Sequence, residues 1–171
     1  MSDVLSLMKK RYSVRAFNGQ AVSEQDLSYI CEAGRWAATS NNKQARHFVL
    51  ITDPELRRRL VSECKMQPFV ADAGVVVVGI ATNAESGGST ADVFISMTQM
   101  ELAAVERGLG TIWLGIYDRE AVASMIGLPA GQRIVSLMAI GHAAAEGAPR
   151  EKKPISELYS INRYQASSPR P

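Results

Sequence analysis

The chain is organised around the segment Arg-Tyr-Ser-Val-Arg-Ala-Phe at residues 11–17. In an extended backbone, successive side chains point to opposite faces. Arg11, Ser13 and Arg15 would then share one face, which carries two guanidinium groups with a hydroxyl between them. Such a surface is rich in donors and suits a phosphate or another cluster of anionic oxygens. The same spacing also fits an edge strand with solvated arginines, so both interpretations stay open.

The bulk composition is typical of one globular domain. A chain of 171 residues is long enough for a hydrophobic core, and 46% hydrophobic with 21% charged residues is an ordinary balance. A net charge of +2 is too small to predict binding to nucleic acid or to a membrane surface. No apolar run is long enough to span a bilayer. We expect residues 1–165 to form the domain and residues 166–171 to form a flexible tail.

The N-terminus and the cysteines indicate the compartment. The first residues include an acid and lack the apolar core of a secretion signal, which favours a cytoplasmic protein. Cys31 and Cys64 stand alone without CxxC spacing, so we expect two reduced thiols rather than a disulfide or a metal site. His47 and His142 are the only histidines, too few for a His-rich metal cluster.

Hydrophobic spacing and capping residues predict alternating helices and strands. Capping residues begin helices near Asp3, Ser23, Asp53 and Asp118. A long helix over about residues 91–107, capped by Ser89 or Asp92, is apolar on most sides, which is typical of a core helix or a subunit interface. The predicted strands cover residues 47–51, 74–80, 111–116 and 134–140, of which the second reads as buried on both faces. The segment after Gly141 reads as a loop.

The motifs of several common enzyme classes are missing. The chain has no GxSxG nucleophile elbow, no Walker A loop and no pair of carboxylates at a spacing that suggests acid–base catalysis. The glycines of residues 108–110 resemble the start of a dinucleotide-binding fingerprint. They follow a helix and precede a strand, however, which is the reverse of the order that the fingerprint needs. We therefore interpret them as a helix C-cap.

Donors and amides occur in three further places. Asn42 and Gln44 lie in a polar loop, an aromatic residue and a glycine come together at residues 113–115, and Arg150 and Lys152 lie in a segment with little other structure. Each place also has a plain interpretation: a polar turn, a core tryptophan and a solvated charge run. Taken with residues 11–17, they describe a ligand with a phosphate, a polyol and a planar heterocycle.

Four motifs in order resemble the nitroreductase family of FMN-dependent oxidoreductases. The N-terminal Arg-x-Ser-x-Arg-x-Phe is present at residues 11–17, and the Asn-x-Gln loop at residues 42–44. Residues 108–115, Gly-Leu-Gly-Thr-Ile-Trp-Leu-Gly, closely resemble the family's Gly-Leu-Gly-Thr-Cys-Trp-x-Gly. Residues 140–164 also fit, from Ile-Gly-His to Asn-Arg-Tyr. The resemblance therefore covers nearly the whole chain.

The resemblance implies an α+β fold. The family has a mixed, mostly antiparallel sheet flanked by helices, with the long helix at an extensive dimer interface. This replaces the doubly wound parallel sheet that alternation of helices and strands would suggest. The family also implies that the loop of residues 38–44 serves the partner subunit, so that each site in the homodimer is shared.

The resemblance also implies FMN as the cofactor and assigns roles in holding it. Arg11 and Ser13 would hold the phosphate and ribityl chain, and Arg150 with Lys152 would complete the phosphate site. Arg15 would lie near N1 and O2 of the ring system, where it would stabilise negative charge. The backbone of residues 114 and 115 would lie near N5, and Gln67 would reach the pyrimidine edge. The full set of implied cofactor residues is Arg11, Tyr12, Ser13, Arg15, Ser40, Asn42, Gln44, Gln67, Leu114, Gly115, Arg150 and Lys152.

The chain departs from the family pattern in three places. Residues 44–46 read Gln-Ala-Arg where the family often has Gln-Pro-Trp, and residues 73–74 read Ala-Gly where it often has Ala-Pro. We expect Arg46 to add a cation at the mouth of the site and to favour acceptors with a carboxylate or sulfonate. The alternative that Arg46 points away and only decorates a strand edge stays open. Residues 81–89 are too short and too rich in glycine and serine for the helical lid of longer relatives, so we expect an open flavin face.

The expected function is that of an FMN enzyme that takes hydride from NADH or NADPH. It would pass electrons to a nitroaromatic, a quinone or a similar small acceptor. The flavin would carry the chemistry, so no catalytic side chain and no metal are expected. Two alternatives stay open: a flavin-binding carrier or sensor without turnover, and a family branch with dehalogenase or flavin-degrading chemistry.

Overall fold

The computed structural model describes residues 3–83 and 85–165. The helices are α1 (Val4–Lys10), α2 (Glu24–Arg35), α3 (Pro54–Glu63), α4 (Gly87–Glu106), α5 (Arg119–Met125) and α6 (Ile155–Leu158). The strands are β1 (Arg46–Ile51), β2 (Val75–Ala81), β3 (Gly110–Leu114) and β4 (Arg133–Gly141). All four predicted strands are confirmed to within two residues at each end.

The capping residues that the sequence predicts begin four of the helices. Asp3, Ser23, Asp53 and Asp118 each accept a hydrogen bond from a backbone N–H two or three residues further along the chain. These N–H groups lie in the first turn of a helix and have no partner within it. The caps therefore satisfy donors that would otherwise be exposed, which typically stabilises a helix by about 1 kcal/mol.

The long helix α4 begins earlier than predicted. Its cap is Ser86, whose hydroxyl accepts from the N–H of Ser89, so the helix starts at Gly87 instead of near residue 91. Gly108, at φ +76°, follows its C-terminus and confirms the predicted glycine cap. The expectation that residues 81–89 are non-helical is wrong for the last three, because Ser86 supplies a cap ahead of the two glycines.

The four strands form one antiparallel sheet in the order β1-β2-β4-β3. Every residue of the inner strand β2 is buried, as its unbroken apolar run predicts. The alternating side chains Val76 and Val78 pack towards α3 and α5, while Val75 and Val77 pack towards α2 and α4. The antiparallel sheet between helices confirms the α+β fold and excludes the doubly wound parallel sheet that alternation suggests.

Residues 11–17 are extended, but they lie beside the sheet as a segment and do not form a regular strand. Ser13 forms an isolated parallel bridge with Thr111, and the N–H of Val14 donates to the carbonyl of Thr111 at 3.0 Å. Val14 is buried and Arg15 is exposed, as alternation predicts, but Ala16 is also exposed and Phe17 is buried, so the alternation is lost after Arg15. A Cβ on Gly110 would lie 2.4 Å from Cγ2 of Val14. The bare glycine therefore lets this segment pack directly on β3.

The C-terminal part contains a short helix that the sequence reading missed. Helix α6 lies in the segment predicted as a loop, and its Ile155 and Leu158 are exposed. The predicted flexible tail, residues 166–171, lies outside the described residues. Cys31 and Cys64 are both free, as predicted. Among the described residues, no helix combines the length and apolar character needed to cross a membrane.

Candidate cofactor site

The donors predicted at the two ends of the chain meet at one cavity. Arg11, Ser13 and Arg15 line it from the N-terminal segment, and Arg150 and Lys152 line it from the C-terminal one. The cavity has a volume of about 550 Å³. Tyr12, also among the predicted residues, completes the N-terminal wall. The sequence prediction of a shared anion site formed by these two distant segments therefore agrees with the fold.

Positively charged side chains outnumber negatively charged ones around the cavity. Four cations line it, and Glu146 is the one carboxylate among the lining residues, which leaves an excess of three positive charges. Within the described part of the chain, neither Arg150 nor Lys152 forms an ion pair, and both are exposed. Their charges are therefore available to a ligand. A concave surface of this kind concentrates anions and binds phosphate oxygens through charge-assisted hydrogen bonds.

A buried carboxylate next to this cavity accepts hydrogen bonds from Arg11 and Thr111. Glu101 of α4 is only 6% exposed, and its Oε1 accepts from Oγ1 of Thr111 at 3.1 Å and from Nη1 of Arg11 at 3.4 Å. The bond from Arg11 is longer than the 2.7–2.9 Å typical of charge-assisted pairs. Glu101 therefore orients the guanidinium of Arg11 without using all of its donors.

The two walls of the cavity touch at Tyr12 and Gly147. A Cβ on Gly147 would lie 2.3 Å from the Tyr12 ring, so only glycine fits at this contact. The close approach holds residues 145–148 against the N-terminal segment. Since Arg150 follows directly, this packing brings its side chain to the cavity.

Six of the predicted cofactor residues do not line this cavity: Ser40, Asn42, Gln44, Gln67, Leu114 and Gly115. Gln44 instead lines a second cavity of about 350 Å³ beside β1. Ser40, Asn42 and Gln44 all lie on an exposed loop. Within one copy of the chain, the candidate residues therefore form two separate groups. That the loop contributes to the cofactor site of a partner subunit remains a prediction.

The end of β3 offers an open backbone. Leu114 is buried, while Gly115 is exposed and has no atom within 4 Å of where a Cβ would stand. Trp113 is half-buried and packs against Phe94 with ring centroids 5.9 Å apart. Gln67 is half-buried, directly before a short 3-10 turn. The free space beside Gly115 can admit a flat group, whereas Trp113 packs mainly within the protein.

We call residues 38–44 the amide loop, and its backbone is strained. Asn41, Asn42 and Gln44 have φ of 50°, 53° and 52°, in the left-handed region that non-glycine residues rarely adopt. Asn tolerates this region better than most residues, but each such residue still carries a conformational cost. The Nε2 of Gln44 donates to Oδ1 of Asn42 at 3.3 Å. A strained loop persists only when the surrounding structure holds it.

Arg46 has a different environment from the one that the sequence predicts. Its Nη2 donates to the carbonyl oxygens of Gly34, Arg35 and Ala37 at 3.0, 3.1 and 3.1 Å. Burial lowers the pKa of Arg46, and the charge of Asp92 partly offsets this effect. Arg46 is therefore an internally bonded residue at the end of α2. Its Nη1 is also buried and has no hydrogen-bond partner among the described residues, and Arg46 lines the same second cavity as Gln44. The expected effect of this cation on the choice of acceptor remains a prediction.

Sequence reasoning missed the roles of two carboxylates. Asp92, predicted as a possible helix cap, instead accepts from the N–H of Ser40 at 2.9 Å, and Glu101 was not singled out at all. Both are buried acids in an otherwise apolar helix, which is the signal that could have found them. Among the described residues, no group of three or more His, Cys, Asp or Glu could hold a metal ion.

The antiparallel α+β fold with a cationic cavity defines a class of anion-binding proteins, and comparison identifies the family within it. The model of the nitroreductase family matches residues 8–84 and 61–142. An NADPH-dependent oxidoreductase of Staphylococcus haemolyticus is 30% identical over 194 residues, which cover 98% of this chain and 77% of that protein. The chain therefore belongs to the nitroreductase family.

Solved structures share the fold. An FMN-dependent nitroreductase from Clostridium difficile matches with a TM-score of 0.84 at 21% identity, covering 94% of this chain and 99% of the other. NfrA1 from Bacillus megaterium matches with a TM-score of 0.88 at 23% identity, covering 97% of this chain and 76% of the other. These likenesses confirm the nitroreductase-like fold that the motifs predict.

Proposed function

We propose that this protein is an FMN-dependent oxidoreductase that takes hydride from NAD(P)H and reduces small acceptors such as nitroaromatics or quinones. The observation that carries the proposal is the meeting of Arg11, Ser13 and Arg15 with Arg150 and Lys152 at one cavity. Relatives named as NADPH-dependent oxidoreductases and an NAD(P)H nitroreductase support it. We also infer a cytoplasmic location, where NAD(P)H is supplied and the free thiols would stay reduced.

The donor set fits the phosphate end of FMN. A monophosphate carries about two negative charges at neutral pH, and the cavity presents an excess of three positive ones. Arg11 and Ser13 would bind this phosphate together with Arg150 and Lys152. Arg15 would supply positive charge near the ring system, and the open backbone at Gly115 would admit its flat face. The bound flavin supplies the electron-transfer chemistry, so the proposal needs no catalytic side chain.

We infer that the functional unit is a homodimer. Phe94 and Ile95 on α4 are 43% and 42% exposed, and Val4, Leu5 and Met8 on α1 are all more than half exposed. Apolar side chains grouped in this way mark an interaction surface. A second copy would cover them, and its amide loop would bring Ser40, Asn42 and Gln44 to the neighbouring cavity.

Cofactor analysis tests the first part of the proposal. Mass spectrometry of the material released from the purified protein should find FMN. The chain lacks a dinucleotide fingerprint, so FAD is not expected. If FAD is found, or if no flavin binds even in excess FMN, the cofactor assignment fails.

Turnover separates the enzyme from the alternatives. Steady-state oxidation of NADH and NADPH should depend on an added quinone or nitroaromatic. A flavin that is reduced once without turnover would favour a carrier or sensor. Halide release from a halogenated aromatic, or loss of the flavin during the reaction, would instead favour the dehalogenase or flavin-degrading alternative.

A further inference from the structure

The amide loop is fastened to the rest of the molecule by two charged side chains. Arg46, two residues after the loop, donates to the carbonyl of Ala37 directly before it, and Asp92 of α4 accepts from the N–H of Ser40 within it. The backbone between these contacts is strained, so the contacts show what holds the loop in its shape. A loop with three non-glycine residues at positive φ needs external support to keep that shape.

Arg46 secures the entry to the loop. Its Nη2 bonds the carbonyls of Gly34, Arg35 and Ala37. The last carbonyls of a helix have no partner within the helix and need one elsewhere. A cation is also the favoured partner at this end of the helix dipole. Arg46 therefore fixes where α2 stops and where the loop begins.

Asp92 secures the middle of the loop. It is 2% exposed, and its Oδ1 accepts from the N–H of Ser40 at 2.9 Å. One turn earlier in α4, the hydroxyl of Ser89 donates to the carbonyl of Ala45, at the loop's end. The carboxylate also partly offsets the buried charge of Arg46. Asp92 and Ser89 therefore bond the loop or its end at two points, Ser40 and Ala45.

We propose that Arg46 and Asp92 form a brace that holds the amide loop in the shape needed to complete the cofactor site of a second copy of this chain. In this proposal they are positioning residues, because they act on the cofactor site through the loop that carries Asn42 and Gln44. The inference rests on the proposed function for the identity of the cofactor.

Hydrogen–deuterium exchange of the flavin-free protein tests the brace without any reaction. Arg46→Met and Asp92→Ala should each speed exchange in residues 38–44 by about tenfold or more. Arg46→Lys, which keeps the charge and some donors, should recover part of the protection, and Asp92→Asn keeps an acceptor for Ser40 as a milder second variant. Arg59→Ala is the matched control because that side chain lies on α3, where it forms an exposed ion pair with Glu63. It should leave the loop unchanged.

FMN titration of the same variants tests the positioning role. The dissociation constant should rise at least severalfold for Arg46→Met and Asp92→Ala and stay unchanged for Arg59→Ala. Unchanged exchange in both brace variants overturns the brace. Faster exchange with unchanged FMN affinity overturns its positioning role. If the wild type binds no FMN, the proposed function fails, while the exchange data still decide whether the brace exists.

A mixed dimer decides which copy the loop serves. One subunit carries Arg46→Met and the other Arg11→Ala, each with a different affinity tag. If the loop acts on the other copy, one of the two sites combines an intact phosphate cavity with an intact loop. Titration should then find one FMN bound per mixed dimer with wild-type affinity. If no tight site is found, the loop acts within its own chain and the assignment to the second copy is overturned.

Discussion

Replacing Arg11 with alanine removes a cation that has two different neighbours. On one side, Arg11 lines the anion cavity; on the other, it donates to the buried Glu101 at 3.4 Å. We expect Arg11→Ala to weaken FMN binding strongly. The size of the effect, and what a second substitution does to it, separate direct binding of the phosphate from simple neutralisation of Glu101.

The magnitude follows from the hydrogen bond that is lost. One charge-assisted bond to a phosphate is worth about 1.5–3 kcal/mol, and each 1.4 kcal/mol corresponds to about a factor of ten. The dissociation constant of FMN should therefore rise by about ten- to a hundredfold. The long contact with Glu101 leaves most donors of Arg11 free for the ligand. Loss of that contact should lower the free energy of unfolding by about 1–3 kcal/mol, since a buried carboxylate loses one partner.

The assay is the quenching of FMN fluorescence on titration with flavin-free protein. Arg58→Ala is the control, because Arg58 forms an ion pair with Glu55 on the exposed surface of α3 and should not affect binding. The double variant Arg11→Ala with Glu101→Gln should still bind FMN weakly. An unchanged dissociation constant for Arg11→Ala would refute the phosphate role. Full recovery in the double variant would show that Arg11 only neutralises Glu101.

Three further predictions concern the fold that carries the site. Gly110→Ala should weaken FMN binding in the same titration, because the added methyl group collides with Val14 and displaces residues 11–17. Ile95→Glu should give monomers in sedimentation velocity, and these should lose flavin, because a charge would replace an apolar contact between subunits. Chemical denaturation should show falling stability below about pH 4. Hydrogen bonds from a serine hydroxyl and from a backbone N–H, respectively, lower the pKa of Asp26 and Asp118 in the folded state. The ionised carboxylates of Asp26 and Asp118 therefore stabilise the folded state above the unfolded pKa of about 3.9. This contribution to the free energy of unfolding is lost on acidification. Unchanged FMN affinity, intact dimers, or stability that is constant from pH 5 to 3 would each contradict the corresponding prediction.

The parts of the fold that depend on local signals could be predicted from the sequence. Caps such as Asp53 act on N–H groups two and three residues away, and the apolar run of β2 directly indicates burial. The start of α4 was misplaced because two glycines argue against a helix, whereas the hydroxyl of Ser86 supplies the cap that starts it there. The resemblance of the motifs implied a mostly antiparallel sheet, whereas alternation alone suggests the wrong topology. Neither predicted the strand order β1-β2-β4-β3.

The residues of the candidate site likewise divide into those that a local sequence pattern indicates and those that only the fold brings together. Arg11, Ser13 and Arg15 could be predicted because they lie in one short extended segment, and residues 11–16 of that segment all line the cavity. The contacts of Glu101 with Arg11 and of Asp92 with Ser40 span 90 and 52 residues, so no local pattern contains them.

Helix α4 connects the two groups of candidate residues. Asp92 and Glu101 are nine residues apart on this helix, which is about 14 Å along the axis at 1.5 Å per residue. At about 100° per residue, nine residues amount to two and a half turns, so the two carboxylates project from opposite sides. One side holds the amide loop through Ser40, and the other orients Arg11 at the anion cavity. In a dimer with α4 between the two copies, one side of α4 would therefore support the amide loop of one site. The opposite side would orient Arg11 at the other site. Any shift of α4 at the subunit contact would then disturb the loop of one site and the phosphate cation of the other together.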